Sequence, residues 1–112
     1  MTIRHLTVAL LLTLCVPAVA DFTTIARAYE VPLNTFNVPV TRNGVITVKE
    51  CDDCPAQSGR LTPQTAFLLN GRSVELTEFR KSAFGVRDRS AETVIVLHHL
   101  ESDTISSISL TL

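Results

Sequence analysis

The sequence Gly-Val-Ile-Thr-Val-Lys-Glu-Cys-Asp-Asp-Cys-Pro, residues 44–55, holds the features from which the fold can first be predicted. Its beginning is rich in β-branched residues, which are typical of a strand. The strand leads directly into a Cys-x-x-Cys made by Cys51 and Cys54. Pro55 then ends the run, because proline has no amide hydrogen to donate. This stretch indicates a β-rich chain with a pair of cysteines at the end of one strand.

Two Asn-Gly dipeptides predict hairpins on either side of the cysteines, since both positions of such a turn need a positive φ. The first, Asn43-Gly44, predicts a hairpin over residues 38–49, and Pro39 places its first strand at a sheet edge. The second, Asn70-Gly71, joins residues 65–69 to residues 72–76. Residues 57–63 between the two hairpins are predicted to be a loop from their serine, glycine and proline content.

The register of the second hairpin follows from its two-residue turn. Phe67 is expected opposite Val74, and Thr65 opposite Leu76. Cross-strand partners share a face, so Phe67, Leu69, Val74 and Leu76 are predicted to line the core. The other face, with Ala66, Leu68, Ser73 and Glu75, is predicted to be less buried.

The C-terminal third of the chain predicts one short helix and two strands. Thr77 can cap a helix from Glu78 to about Phe84, with Phe79 and Ala83 on its buried stripe and Gly85 as its stop. Residues 93–97 are almost all apolar, which predicts a central strand covered on both faces. Residues 107–112 alternate between polar and apolar, which predicts a half-buried final strand.

The sum is an α+β fold that is mainly antiparallel β, a small single-domain barrel-like or two-layer fold of β-hairpins with one short helix. Residues 22–30 fit a helix or a strand, and we favour an extended segment because a two-turn helix at a free terminus is marginal. Residues 80–89 are rich in basic side chains, which predicts a solvated face.

Residues 1–20 are predicted to be a cleaved secretory signal peptide. Arg4 and His5 precede an apolar run, and Ala18-Val19-Ala20 supplies the small residues of a cleavage site. A minor alternative makes Cys15 a lipid-modified cysteine. Removal of 20 residues from the 112-residue chain leaves 92, residues 21–112, as one small β-rich domain. The protein is therefore expected to be exported, either periplasmic or secreted.

Charge limits the partners that this chain is expected to bind. The signal holds one of the ten Lys/Arg and none of the eleven Asp/Glu, so the mature chain has a formal charge of −2. This balance does not favour nucleic acid. No apolar run after the signal approaches the about 20 residues that span a bilayer. The expected partner is an unidentified protein or small molecule in the exported compartment, and no cofactor is expected.

Three interpretations of Cys51 and Cys54 remain open. The first, a structural disulfide, is favoured by an oxidising compartment and by the removal of Cys15 with the signal. The second is thiol–disulfide exchange, although Glu50, Asp52 and Asp53 disfavour a thiolate beside them. The third is a metal site made by Cys51, Cys54 and His98, because adjacent His98 and His99 on one strand cannot both face the same ion.

The Cys-x-x-Cys after a strand and the segment that follows it resemble part of the thioredoxin-like proteins. That family carries a Cys-x-x-Cys after a strand, and later a Thr-Pro followed by a strand and an Asn-Gly or Asp-Gly turn. Here Thr62-Pro63 precedes residues 65–71, and the resemblance covers about residues 45–74. It would imply a redox-active Cys51–Cys54 pair. The chain departs from that family because only residues 55–61 separate the cysteines from the Thr-Pro, too few for a parallel crossover. We therefore expect a non-catalytic binding or accessory module, with a small redox protein as the alternative.

Overall fold

A computed structural model describes residues 25–112. The predicted signal peptide, Cys15 and residues 21–24 lie outside the described residues. Within residues 25–112, no helix has the length and apolar character needed to cross a membrane.

Seven strands, one α-helix and one short 3-10 turn make up the described chain. They are β1 (Ala26–Pro32), β2 (Gly44–Val48), β3 (Gln57–Leu61), β4 (Ala66–Leu69), β5 (Arg72–Val74), α1 (Leu76–Phe84), the 3-10 turn (Arg89–Ala91), β6 (Thr93–His99) and β7 (Thr104–Leu110). The predicted α+β class is confirmed, and the extended segment favoured for residues 22–30 is a strand from Ala26 onward.

The strands form one mixed sheet in the order β1-β6-β7-β3-β2. β7 lies at its centre, because it pairs with β6 along one side and with two successive strands along the other. β3 meets the start of β7 at Arg60–Thr104, and β4 runs parallel to the rest of it, from Ala66–Ser107 to Leu69–Leu110. β5 pairs with β4. The sheet is therefore open and not a closed barrel, with β1 at one edge and β2 and β5 at the other.

One apolar cluster holds the sheet and the helix together. α1 contributes Leu76, Phe79 and Ala83, and the Phe79 ring lies 5.5 Å from the Phe67 ring of β4. The remaining core side chains come from the strands and from the segment after β1, namely Tyr29, Val31, Leu33, Phe36, Ile46, Val48, Leu61, Leu69, Val94, Val96, Ile105, Ile108 and Leu110. Burial of this apolar area is the main stabilising term of the fold.

The hairpin predicted at Asn70-Gly71 is confirmed. Phe67 pairs with Val74, and the turn residues have φ values of 53° and 81°. Three of the four predicted core residues are buried and Val74 is half-buried. The pairing expected between Thr65 and Leu76 is wrong, because the chain enters α1 at Leu76.

The hairpin predicted at Asn43-Gly44 is wrong. β2 pairs with β3, from Gly44–Leu61 to Val48–Gln57, so most of the segment predicted to be a loop is a strand. Pro39 is buried but lies outside every described strand. The segment before β2 is held instead by Arg80, whose guanidinium donates hydrogen bonds to the carbonyl oxygens of Val38 and Pro39 at 3.1 and 2.9 Å.

The predicted helix exists but begins two residues earlier than expected. Glu75 is its N-cap residue and Thr77 lies inside the first turn. Phe79 and Ala83 are buried, as their four-residue spacing predicted. Gly85 follows the last helical residue, and its N–H contacts the carbonyl oxygens of Lys81 and Ser82.

β6 is central, as predicted, but only one of its faces is covered within the described chain. Val94 and Val96 are fully buried, whereas Ile95 on the other face is 43% exposed. β7 is half-buried, and a register shift opposite Leu97 and His98 leaves Ser106 without a partner on β6. This bulge brings Ile105 and Ile108 to the same face although they are three residues apart.

Candidate functional site

The two cysteines lie in the loop that joins β2 to β3. The loop covers residues 49–56, and within it the N–H of Cys54 donates to the carbonyl oxygen of Cys51 at 3.2 Å. The two sulfur atoms lie at disulfide-bonding distance, with Cα atoms 5.0 Å apart, inside the range that a disulfide spans. The structure thus brings together the two residues that the sequence singled out.

The surroundings of the cysteines are exposed and acidic. Cys51 is exposed and Cys54 is half-buried, and the loop between them forms turns and no helix. Glu50, Asp52 and Asp53 are exposed, and none of them forms an ion pair within residues 25–112. The cysteines therefore lack the helix N-terminus that lowers the pKa of a reactive thiol.

A groove of about 450 Å³ opens beside this loop. One wall is the end of β2 and the start of the loop, and the other is the segment that follows β1. Its lining residues are Pro32, Thr35, Asn37, Thr47, Val48, Lys49, Glu50, Cys51, Asp52 and Ala56. The groove thus contains Cys51 and most of the charged side chains that flank it.

The wall after β1 is built by a tight turn. The N–H groups of Thr35 and Phe36 both donate to the carbonyl oxygen of Pro32 at 3.1 Å, and the Thr35 hydroxyl donates to the same oxygen. Phe36 is buried and fixes the turn to the core, while Asn37 is exposed beside the groove. No sequence pattern indicated that these residues would face the cysteine loop, because they are separated from it by about a dozen positions and meet it only in the folded chain.

His98, the third residue of the alternative metal site, lies in the sheet and not with the cysteines. Its ring is buried, and its Nε2 lies 2.7 Å from Asp103 Oδ1 while Nδ1 lies 3.1 Å from the Tyr29 hydroxyl. An ionised carboxylate only accepts hydrogen bonds, so Nε2–H donates to Asp103, while Nδ1 shares a hydrogen bond with the Tyr29 hydroxyl. Both nitrogens are engaged, and no group of three or more His, Cys, Asp or Glu within residues 25–112 could hold a metal ion.

His99 is only half-buried, in contrast to buried His98, as expected for adjacent positions on a strand. Its Nδ1 lies 2.8 Å from the Ser102 hydroxyl, which also contacts the Thr104 hydroxyl at 2.7 Å. A serine nucleophile needs a histidine that a third group orients. No described carboxylate is hydrogen-bonded to His99, so this polar chain fits a turn and not a catalytic triad.

The basic segment contains two arginines that flank one aromatic ring, an arrangement that no sequence pattern indicated. The guanidinium groups of Arg80 and Arg89 lie 5.1 and 5.2 Å from the centroid of the Phe84 ring, which is 54% exposed. Arg89 also donates to the carbonyl oxygen of Leu33 at 3.3 Å. These two arginines are half-buried, so the prediction of a simply solvated face is wrong for them. They hold the segment between β1 and β2 against α1.

Comparisons with protein-family models, with curated proteins and with solved structures found no match to this chain.

Proposed function

We propose that this protein is an exported, non-catalytic binding or accessory module whose partner occupies the groove beside the Cys51–Cys54 loop. The position of that groove is the main support for this function. It is a concave surface of about 450 Å³ formed where the most distinctive stretch of the sequence meets the segment after β1. Ligand pockets of proteins are typically about 300–1,000 Å³, so the groove is large enough for a small molecule or a few residues of a peptide.

The lining of the groove supports binding of a neutral or cationic group. Among its lining residues, two carboxylates, Glu50 and Asp52, outnumber the one cation, Lys49. Asp53 follows Asp52 in the chain and adds a further exposed carboxylate. Asn37 adds an amide that can donate and accept hydrogen bonds, and the hydroxyl oxygens of Thr35 and Thr47 keep acceptor capacity beside their own bonds to Pro32 and Ser58. Pro32, Val48 and Ala56 supply apolar surface. The excess of carboxylates does not suit an anionic partner such as nucleic acid.

The disulfide supports this function by restricting the loop that forms one wall. Closing so short a loop contributes about 2 kcal/mol through the lost entropy of the unfolded chain. A loop held in one conformation also loses less entropy when a partner binds. In this proposal Cys51 and Cys54 remain a disulfide and are not reduced and reoxidised during function.

Export is tested by expressing the full chain with a C-terminal tag and measuring the intact mass of the protein recovered outside the cytoplasm. The proposal expects a mature chain that begins at Asp21 and has no free thiol before reduction. A chain that retains residues 1–20, or one that carries a diacylglycerol on Cys15, contradicts the predicted signal cleavage.

Binding in the groove is tested with a matched pair of arginine substitutions. Ala56 is exposed inside the groove, and Ser73 is exposed on β5 outside it. The tagged wild type, Ala56→Arg and Ser73→Arg are each used to capture proteins and small molecules from the envelope. We expect Ala56→Arg to lose a partner that the wild type and Ser73→Arg retain. The three proteins should have equal free energies of unfolding, so that the loss reports on binding and not on folding. Equal capture by all three proteins would contradict the groove as the binding site.

One observation favours thiol–disulfide exchange as the second candidate. Cys51 is exposed and lines the groove, so a bound substrate disulfide could reach its sulfur. In such a reaction the Cys51 thiolate attacks the substrate disulfide, and Cys54 then displaces the substrate thiol as the pair is oxidised. Equilibration in glutathione buffers separates the two candidates. A structural bridge is expected below about −300 mV, whereas oxidoreductases lie at about −120 to −270 mV.

A further inference from the structure

β1 has one edge that no strand covers within the described chain. Its residues, from Ala26 to Pro32, pair with β6 in an unbroken register from Ala26–His99 to Pro32–Thr93. No other described strand pairs with β1. The strand contains no bulge and no proline before its last residue. Such an edge presents backbone groups that can pair with another chain.

The direction of these backbone groups follows from two hydrogen bonds at the ends of the strand. The N–H of Leu100 donates to the carbonyl oxygen of Ile25, and the N–H of Leu33 donates to that of Glu92, both at 2.9 Å. Opposite residues in an antiparallel pair exchange hydrogen bonds at every second position. The odd-numbered residues of β1 therefore bond to β6, and Ala26, Ala28 and Glu30 direct their N–H and C=O groups outward.

The opposite edge of the sheet is less suited to pairing. β5 has three residues, and β2 shares a cavity with the segment that precedes it. This segment contains Pro39, which lacks an amide donor. Of the two edges, only that of β1 offers a long regular ladder of donors and acceptors.

We infer that β1 pairs antiparallel with β1 of a second copy of this chain, with Ala28 opposite Ala28 at the two-fold axis. In this register Ala26 of each copy lies opposite Glu30 of the other. The three resulting residue pairs all have outward-facing N–H and C=O groups, and each pair exchanges two hydrogen bonds. The interface is self-complementary, as a two-fold dimer requires.

Side chains favour this register over the neighbouring one. Placing Tyr29 on the axis would put Pro32, which has no N–H, opposite Ala26 and would bring the two Glu30 carboxylates diagonally close. With Ala28 on the axis the two Glu30 side chains lie at opposite ends of the pairing. Arg27 of each copy then lies opposite the uncharged Tyr29 of the other, so no like-charged side chains face each other across the pairing.

The surface beside this edge suits close approach of two copies. Ala26 and Ala28 are small, and the neighbouring residues on the uncovered face of β6, Ile95 and Leu97, are apolar. Pairing would continue this face across both copies, with one Glu30 carboxylate at each end of the paired strands. A contact made mainly by one strand buries less than the about 1,200–2,000 Å² of a standard interface, so the dimer is expected to be weak and concentration-dependent.

Cysteine crosslinking of the exported full-length product tests the register directly. Opposite hydrogen-bonded residues have Cα atoms about 5.5 Å apart, within the reach of a disulfide. Ala28→Cys is therefore expected to give a covalent dimer under mild oxidation, while the matched control Glu30→Cys, whose two copies lie far apart, remains monomeric. Faster crosslinking of Glu30→Cys, or equal and slow crosslinking of both, would overturn the proposal.

Sedimentation of the unmodified protein provides the second measurement. The wild type is expected to shift from monomer to dimer as its concentration rises, and Ala28→Pro to remain monomeric because it lacks the outward N–H. The Ala28 N–H does not bond to β6, so the free energy of unfolding of the monomer should change little. A dimer that persists in folded Ala28→Pro, or a wild type that is monomeric at every concentration but binds an extended foreign peptide at β1, would refute self-pairing.

Discussion

The hairpins β2–β3 and β4–β5 both border β7, yet their strands are joined in different ways. β4–β5 has a two-residue turn, in which Asn70 and Gly71 adopt φ values of 53° and 81°. β2–β3 has a loop over residues 49–56 that is closed by the cysteine pair. The β4–β5 hairpin is specified by the two residues of its own turn. The β2–β3 hairpin depends on a covalent link and on contacts with the distant strands β6 and β7.

The dipeptide Asn43-Gly44 shows why turn chemistry alone does not make a hairpin. It is identical to Asn70-Gly71, but Gly44 has a φ of 134° and begins β2. The residues before Gly44 do not act as a partner strand, because the guanidinium of Arg80 donates hydrogen bonds to the carbonyl oxygens of Val38 and Pro39. The side chain of Arg42 donates a hydrogen bond to Glu75, with Nη1 3.2 Å from Oε2. A tight turn therefore forms a hairpin only where both flanking segments can pair and bury a common face.

The largest expected effect comes from the core side of the β4–β5 hairpin. Phe67 is fully buried against Phe79, so Phe67→Ala should reduce the free energy of unfolding by about 3–5 kcal/mol. The control is Val45→Ala on β2, where the side chain is 69% exposed and little change is expected. Chemical denaturation measures both. A similar loss for the two variants would contradict the burial of Phe67 against Phe79.

The next effect concerns the glycine that lets β3 approach the rest of the sheet. A Cβ on Gly59 would collide with the side chain of Ile105 and lie 3.2 Å from Cδ2 of His98. Gly59→Ala should therefore cost about 1–3 kcal/mol of stability through overpacking. Ser58→Ala, at an exposed position next to it, is the control and should be mild. If Gly59→Ala is as stable as Ser58→Ala in urea denaturation, β3 does not pack against β6 and β7 as described.

Removing the disulfide should weaken β2–β3 and leave β4–β5 unaffected. The double variant Cys51→Ser with Cys54→Ser is expected to lose about 2 kcal/mol of stability. Its circular dichroism spectrum should remain that of the wild type, because the strands are held by other contacts. Hydrogen exchange should become faster in residues 49–56 and stay unchanged in residues 66–74. Faster exchange in both hairpins would indicate that the disulfide stabilises the whole sheet.

The smallest expected effect tests the turn of β4–β5. Gly71 has a φ of 81°, and a β-branched residue resists positive φ, so Gly71→Val should cost about 1–2 kcal/mol. Ser73→Val is the matched control, because that position is exposed on a strand and tolerates valine. Thermal unfolding should separate the two. Equal stability of the two variants would contradict the positive φ at the turn.

Much of the candidate site could not be predicted from the sequence. The two cysteines were found from their spacing, and their place after a β-branched run was correct. The facing wall, with Thr35 and Asn37, was missed because its residues meet the loop only through the packing of buried Phe36. Residue type alone makes His98 a candidate metal ligand, and its sequence neighbours do not reveal Tyr29, with which it shares a hydrogen bond across the sheet.

The sequence by itself determined the elements whose signals are local. These are the Asn70-Gly71 hairpin, the buried stripe of α1, the apolar strand β6 and the alternation in β7, since turn chemistry and periodicity act between near neighbours. Only the tertiary structure decided which strands pair across long distances. β4 pairs with β7 although the two segments lie far apart in the sequence. The strand at Ser58-Gly59 depends on the space left beside Ile105 and His98. No local pattern encodes that space, because it exists only once β6 and β7 have come together.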